Sequence, residues 1–550
     1  MKYSAKIIYF FLLLILLFFS CNSKSPKNNR SHESKFRFIY NNDGTEILGN
    51  RWHNFRPLTI EDVHSYIDIL ANTPVTTFMM CSGSMLLYYQ SRYERPLGVL
   101  NENQKSQPGQ DSILTENMKQ YGENFLALQQ QGTDIIQLCI NRAKQLGMEA
   151  FITMRMNDLH FTDPQLYAPA AQSDFWLQHP EYRMGDYPGW HADGALNFAH
   201  EAVRQYKLNL IREQCERFDL DGLELDFMRF LVYFPYSKGR DYLDVMTDFI
   251  RKARTIADEV GEQRGRKILL AVRVPPRIDL CLDKGLDVPT WAQENLIDMI
   301  TVAAHWTDDP ALPVSQFKKD LGEVDIPIYA SLESGNYHPR EFRSHGMYRA
   351  AAAHCLNQGA DGIYLFNFFF QEFFENQDKD ENPKDKILIN RMRDPLLLSE
   401  LANAETLKQR NKIYSLSDGI VEYGYQPNTP LPLFISPCDK VEINIYLAED
   451  FQNDQPEQVY LFLRLTKGRK IIIKINDSPA DVGDSTMISL LKRNLNLTAD
   501  DEILVRSVPI AALKNGENSI SIQSLDPNPL TLKRVEIAVQ YGEVQTAGYF

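Results

Sequence analysis

Cysteine is scarce in this chain: seven residues in 550, none in a CxxC pair. That spacing gives no support to a structural zinc site or a dithiol redox centre. Basic charge is also short, with 58 Lys and Arg against 72 Asp and Glu and a formal net charge of −14. No basic stripe is present, so the clustered cations that nucleic-acid phosphates require are missing, and the acidity reads as solubility. No cofactor motif stands out. Only one long apolar run occurs, Ile7 to Phe19, behind Lys2 and Lys6. It is too short to span a bilayer comfortably and reads as the hydrophobic region of an export signal.

The residues directly after that run set an address. Ser20 and Cys21 end it, and the polar stretch 22–35 suits a tether. The Ser-Cys junction resembles a bacterial lipobox, which implies lipidation at Cys21, a membrane anchor and a place in the cell envelope; a conventional cleaved signal, or an uncleaved one, is the alternative. Cys81, Cys139, Cys215 and Cys355 lie in apolar patterns and are expected to be small buried hydrophobes. At 44% hydrophobic and 24% charged residues, the chain is globular and long enough for two domains.

From Phe36, short apolar runs alternate with helical or loop segments. The runs are Phe36 to Tyr40, Val75 to Cys81, Glu149 to Met156, Gly222 to Met228, Ile268 to Val274, Asp298 to Ala304, Pro327 to Glu333 and Gly362 to Phe368. Eight such units predict a closed (β/α)8 barrel over 36–410, an α/β fold with its chemistry at the C-terminal strand ends. Helical patterns lie at Thr133 to Leu146, Glu201 to Phe218, Tyr242 to Val260, Tyr348 to Gln358 and Ile387 to Arg410. Asp221-Gly222 and Asp361-Gly362 precede strands as tight turns. The long connections 82–132 and 157–198 both overhang the mouth and are expected to be lids or walls. A linker at 411–430 then leads to alternating β-type runs over 431–550: VEINIYL, VYLFLRL, KIIIKIN, EILVRSV, NSISIQS and RVEIAVQY. These predict a smaller antiparallel β-sandwich. The pairing of IIIKINDSPA with VPIAALKNGENSISIQ resembles galactose-binding-like jelly rolls; the domain either binds glycan or only packs against the barrel.

The segment DLDGLELDFMRF, Asp219 to Phe230, carries the chemistry. Strand alternation puts Glu224 and Asp226 on one face and Leu223, Leu225 and Phe227 on the other. The same parity brings Thr153, Arg155 and Asn157, Arg273, Thr301 and His305, then Tyr329, Ser331 and Glu333, to one face near the strand ends, with Asn367 at the eighth. Glycoside cleavage generally needs two carboxyl groups, one as acid and one as nucleophile or base. Asp226 is expected to face substrate, Glu333 across the mouth is the preferred acid, and Glu224, one pleat deeper, is the other candidate. Arg155, Arg229 and Arg273 either form an internal ring of ion pairs or catch an anionic uronate or sulfate group. Trp176, Trp190 and Trp306 fall in strand-end loops where aromatic faces could stack on sugars.

The stretch Leu196 to Phe230 resembles the glycosyl-hydrolase-like family 10 domains and related bacterial barrel families. Those share an L-N/D-x-x-H/P-x-x-V-R opening, a helix, and D-G-I-x-x-D-hydrophobic-x-R/Y; the matching positions are Asn197, Val203, Arg204, Asp221, Gly222, Asp226 and Arg229. The resemblance implies a (β/α)8 barrel acting on a carbohydrate substrate, with the strand-four aspartate at the active centre. The sequence therefore points to an exported glycoside hydrolase. Two rivals use the same residues: a non-catalytic glycan-binding lipoprotein on a barrel scaffold, and a lyase acting on uronate-rich glycan.

Overall fold

The computed structural model describes residues 36–53, 55–100, 112–163, 169–189, 191–304, 312–333, 335–336, 341–342, 344–368, 395–417, 430–466, 470–482 and 498–542. The signal, Cys21 and the tether lie outside these. Eight parallel strands close into a barrel: β1 (Arg37–Asn42), β2 (Thr77–Cys81), β3 (Glu149–Arg155), β4 (Gly222–Asp226), β5 (Leu269–Val274), β6 (Met299–Val302), β7 (Ile328–Glu333) and β8 (Gly362–Phe366). Each pairs with its sequence neighbours, and β1 pairs with β8 to close the ring. All eight expected runs are therefore strands of the barrel, in order.

Helices in the crossovers include α1 (Ile60–Asp68), α3 (Ile135–Gln145), α4 (Glu201–Arg217), α5 (Leu243–Arg264), α6 (Val288–Gln293), α7 (Val314–Leu321) and α8 (His345–Asn357). An additional helix, α2 (Ser112–Gln130), occupies much of the connection expected as one long loop after β2. Local chemistry sets several ends. Thr59 and Asp62 form a reciprocal capping box on α1, Asp134 caps α3, and α5 stops at Gly265 with φ +68°.

The Asp-Gly turns have a physical reason that sequence pattern alone did not supply. Asp221 accepts the backbone N–H of Ala150 on the neighbouring β3, and Arg266 donates to its other oxygen at 2.8 Å. Asp361 likewise accepts the N–H of Ile328 and the ammonium of Lys318, each at 2.9 Å. Asp298, ahead of β6, does the same for Leu270 with Arg254. In each case a carboxylate satisfies an orphan N–H at the foot of an adjacent strand while a cation on a neighbouring helix, or just past its end, balances its charge.

The lumen is layered. At its foot Arg37 donates to Glu149 and to the Tyr329 hydroxyl, and Thr77 donates to Glu149. Above this polar plug, Ile39, Met79, Phe151, Leu269, Ala271, Met299 and Tyr364 form an apolar cluster. Leu223, Leu225 and Phe227 belong instead to the separate core between strands and helices, as their alternation requires.

After the barrel, the pattern expected as one helix from Ile387 to Arg410 is two short ones in its described part, Pro395–Leu401 and Ala404–Leu407, the second capped by Asn403. Two antiparallel sheets follow. The first contains β9 (Lys412–Ser417), β10 (Leu433–Ile435), β12 (Gln458–Thr466), β15 (Asp481–Val482), β16 (Asp501–Ser507) and β18 (Leu530–Gln540); the second contains β11 (Lys440–Leu447), β13 (Ile471–Ile475), β14 (Ser478–Pro479) and β17 (Gly516–Ser524). Strand β9 falls inside the stretch expected as linker and pairs along β18, because Ile413 and Leu416 find buried partners there. Met347 and Ala350 of α8 share buried clusters with these sheets.

Two glycines around the α8–β8 turn test this account. A Cβ at Gly362 would meet the Arg37 carbonyl at 1.9 Å, whereas one at Gly359 meets nothing within 4 Å and only suffers φ +87°. Gly359→Ala is expected to cost about 1–2 kcal/mol. Gly362→Ala is expected to cost more, about 3 kcal/mol, because backbone must move. Urea unfolding of the two variants measures the order, and equal losses would contradict it.

Candidate active site

The C-terminal end of the barrel brings together the acids that strand parity placed there. Asp226 pairs in register with Arg155 on β3 and Arg273 on β5, so three charged side chains stand abreast on one face. Arg273 lies between two carboxylates: it donates to Asp226 Oδ1 at 3.1 Å and Oδ2 at 3.3 Å, and to Glu333 Oε1 at 2.5 Å. One guanidinium therefore holds both acids, which keeps their nearest oxygens within about 8 Å. Its plane also lies over the Phe366 ring, 4.0 Å from the centroid. Burial opposes the Arg273 charge, yet Glu333 and Asp226 hold its pKa above the ordinary guanidinium value.

Every member of this group is buried: Asp226 and Arg273 are 2% exposed and Glu333 3%. Main-chain and hydroxyl donors complete it, with Met228 N–H on Asp226 at 2.8 Å and Ser331 on Glu333 at 2.9 Å. Unpaired, such charges would be strongly disfavoured in the barrel.

Glu224 has a different environment on the same strand. Thr153 Oγ1 donates to its Oε1 at 2.6 Å and the Tyr364 hydroxyl donates at 2.9 Å, while Oε2 is buried with no protein partner. Burial first, then the negative charge of Asp226, push its pKa up to about 7. It is the acid in this group that retains a proton near neutrality.

A second network covers the β3 side of the mouth. Arg155 donates to Asp158 at 2.9 Å and approaches Asp43 at 3.7 Å. His160 Nδ1 lies 2.7 Å from Asp158, and its Nε2 lies 2.7 Å from Arg229. Because a guanidinium only donates, Nε2 accepts and Nδ1–H donates, which is the neutral tautomer. Burial, the largest influence, lowers the His160 pKa in keeping with that form. Asn367, at φ +50°, donates to Asp43 at 3.4 Å. The arginines thus stand in an internal ring of polar pairs, one of the two arrangements open on sequence grounds.

Two expected substrate contacts have other work. The Asn157 amide donates to the carbonyls of Leu196 and Val232 and accepts from Leu196 N–H, so it ties the loop after β3 to the loop after β4. Trp176 is 1% exposed, its indole N–H bonded to the Gly194 carbonyl and its face covered by Arg183, so it anchors that loop and is no sugar platform. Trp190, His305 and Trp306 lie outside the described residues.

Sequence reasoning missed Asp43, Asp158, His160 and Tyr364, and it missed Asn41. Asn41 sits on β1 opposite Met79 and Phe366, and neither polar atom of its buried amide has a protein partner. Thr301 Oγ1 and Asn367 Oδ1 are likewise unpartnered and buried. The D-x-H spacing of Asp158 and His160 directly past a strand was a readable signal, as was the i, i+2 step from Ile39 to Asn41.

No family model matches the chain, and no curated protein matches it. Solved structures to which it is similar include the glycoside hydrolase domain of PgaB (BpsB) from Bordetella bronchiseptica, at 12% identity over 67% of this chain and 99% of that one, TM-score 0.42. The maltogenic alpha-amylase AmyB from Thermotoga neapolitana matches at 13% identity over 90% and 98%, TM-score 0.34. Alpha-L-fucosidase isoenzyme 2 from Paenibacillus thiaminolyticus matches at 11% identity over 70% and 52%, TM-score 0.37.

The raised Glu224 pKa also acts on stability. Between its ordinary value of 4.5 and about 7, the folded chain holds a proton that the unfolded chain has released, so stability falls as pH rises through this window. Glu224→Gln is expected to remove that component. Urea midpoints at pH 5 and pH 8 should therefore differ less in the variant than in the parent; identical differences would contradict the assignment.

Proposed function

We propose that this protein is an exported glycoside hydrolase that cleaves O-glycosyl bonds in a poly- or oligosaccharide by a two-carboxylate mechanism. The observation that carries the reading is the contrast among three neighbouring acids: Asp226 and Glu333 ion-paired to Arg273, Glu224 keeping its proton to about 7. Environments that push the protonation states of neighbouring acids apart are how such sites divide the roles of acid and base. Asp226 serves as nucleophile or base. Glu224 takes the role of acid in preference to Glu333, because the latter is ion-paired to Arg273.

Arg273 positions Asp226 and Glu333, and Thr153 with Tyr364 orients Glu224. The unpartnered amides and hydroxyl of Asn41, Asn367 and Thr301 supply hydrogen bonds suited to sugar hydroxyls. Arg155 and Arg229 are held in the mouth's own polar network, which favours a neutral sugar over a uronate and so weakens the lyase reading. The two C-terminal sheets serve as an accessory β-sandwich. Their strands supply residues to one common apolar cluster, including Ile443, Ile473 and Leu461. The apolar run ahead of Cys21 supports export and lipid anchoring at that residue.

A polysaccharide panel tested with residues 22–550 checks this directly. Asp226→Asn and Glu224→Gln are each expected to lose at least about 10³-fold in kcat while retaining binding. In the parent, kcat/KM should decline as pH rises through about 7, where Glu224 loses its proton. Undiminished turnover in both variants, or an activity that holds to pH 9, would overturn the assignment.

A further inference from the structure

Outside the barrel mouth, a cavity of about 360 Å³ opens at the C-terminal rim, between the chain leaving β4 and the short helix Ile278–Asp283 that follows β5. Tyr187, from the long connection after β3, forms part of its wall. The volume falls within the range of small-molecule sites. Its lining combines Tyr187, Phe234 and Tyr236 with Arg240, Asp283 and Lys284.

The aromatic side is held firmly. Phe234 stacks on Tyr242 with centroids 4.7 Å apart, and Tyr187 meets Tyr236 edge-on at 5.4 Å. Tyr236 is nevertheless 56% exposed, so a large flat ring stands open at the cavity. The residue after it, Ser237, is a non-glycine at φ +58°, a conformation that costs energy and persists only when its surroundings impose it. The polar side is less simple than a cation patch. Arg240 already donates to Asp283 at 2.6 Å, and burial pushes the Lys284 ammonium down to about 8.

These features select a ligand chemistry. A purely apolar guest would bury Asp283, Arg240 and Lys284 without offering them hydrogen bonds. A strongly anionic guest would meet the Asp283 carboxylate. A sugar fits both sides, its CH-rich face on an exposed tyrosine and its hydroxyls among groups that donate and accept.

We infer that this rim cavity is a second carbohydrate-binding site, distinct from the acid cluster, that holds one or two neutral sugar units of a longer glycan. The inference builds on the hydrolase reading for the kind of ligand, but it predicts binding that does not depend on cleavage. The chain leaving Asp226 forms one wall of the cavity, so a polymer held there is tethered beside the mouth.

Native electrophoresis of full-length chains in gels containing soluble starch, xylan, mannan, laminarin or galactan tests it. In an Asp226→Asn background, which prevents digestion, at least one polysaccharide should retard the protein. Adding Tyr236→Ala should weaken that retardation about tenfold in apparent Kd, and Tyr236→Phe, which keeps the ring, should restore it. With Asp226 intact, Tyr236→Ala should leave hydrolysis of a short oligosaccharide within about twofold of the parent. Retardation unchanged by Tyr236→Ala, or no retardation by any of the five, would overturn the rim site. Retardation that depends on Tyr236 in a parent that cleaves none of them would sink the hydrolase reading and leave the rim site standing.

Discussion

A single guanidinium organises the mouth of this barrel. Arg273 is buried and joined to Asp226 on one side and Glu333 on the other, and neither acid could remain charged there at small cost without it. Removing one member of such a buried pair typically costs about 3–5 kcal/mol, most of it the penalty of the charge left behind. The state of Glu224 is set by its burial beside that pair. Burial is the larger influence and the neighbouring Asp226 carboxylate adds to it, so Glu224 keeps its proton even though the hydrogen bonds donated by Thr153 and Tyr364 favour its charged form.

The two ends of the barrel use charge differently. At the foot, Asp221, Asp298 and Asp361 cap the N–H groups of neighbouring strands and take a cation each, while Arg37 and Glu149 close the lumen. Those groups hold the strands in register. At the mouth, amides and hydroxyls of Asn41, Thr301 and Asn367 are left with hydrogen-bonding capacity that the protein does not use. Unspent polar capacity in a buried setting is costly to stability and useful to a ligand. The motif around the fourth strand spans both ends: Asp221 and Gly222 belong to the architecture and Asp226 and Arg229 to the mouth.

The barrel was legible because its signals are local. Eight apolar runs separated by helical patterns read directly as strands and crossovers, and two-residue alternation correctly separated Glu224 and Asp226 from Leu223 and Leu225. Alternation also brought Arg273 and Glu333 to the right end. It could not reveal that Arg273 bridges Asp226 and Glu333, because the contact with Glu333 joins residues 60 apart across the face of the intervening β6. Asn157 and Trp176 escape the pattern for a related reason. Their positions past a strand end suggest the mouth, but loop packing draws the Asn157 amide to Leu196 and Val232 and encloses Trp176 beneath Arg183. Strand β9 is hidden in a stretch that reads as linker because its partner, β18, lies more than a hundred residues onward.

Arg273→Lys is the most direct measurement of the account, because lysine keeps the charge but cannot offer the planar fork that spans two carboxylates. Assayed on a glycan that the parent cleaves, with folding monitored by circular dichroism and gel filtration, the variant is expected to fold and to lose at least about 10²-fold in kcat. A folded Arg273→Lys protein that turns over the glycan at the parent rate would contradict the claim that this guanidinium builds the site.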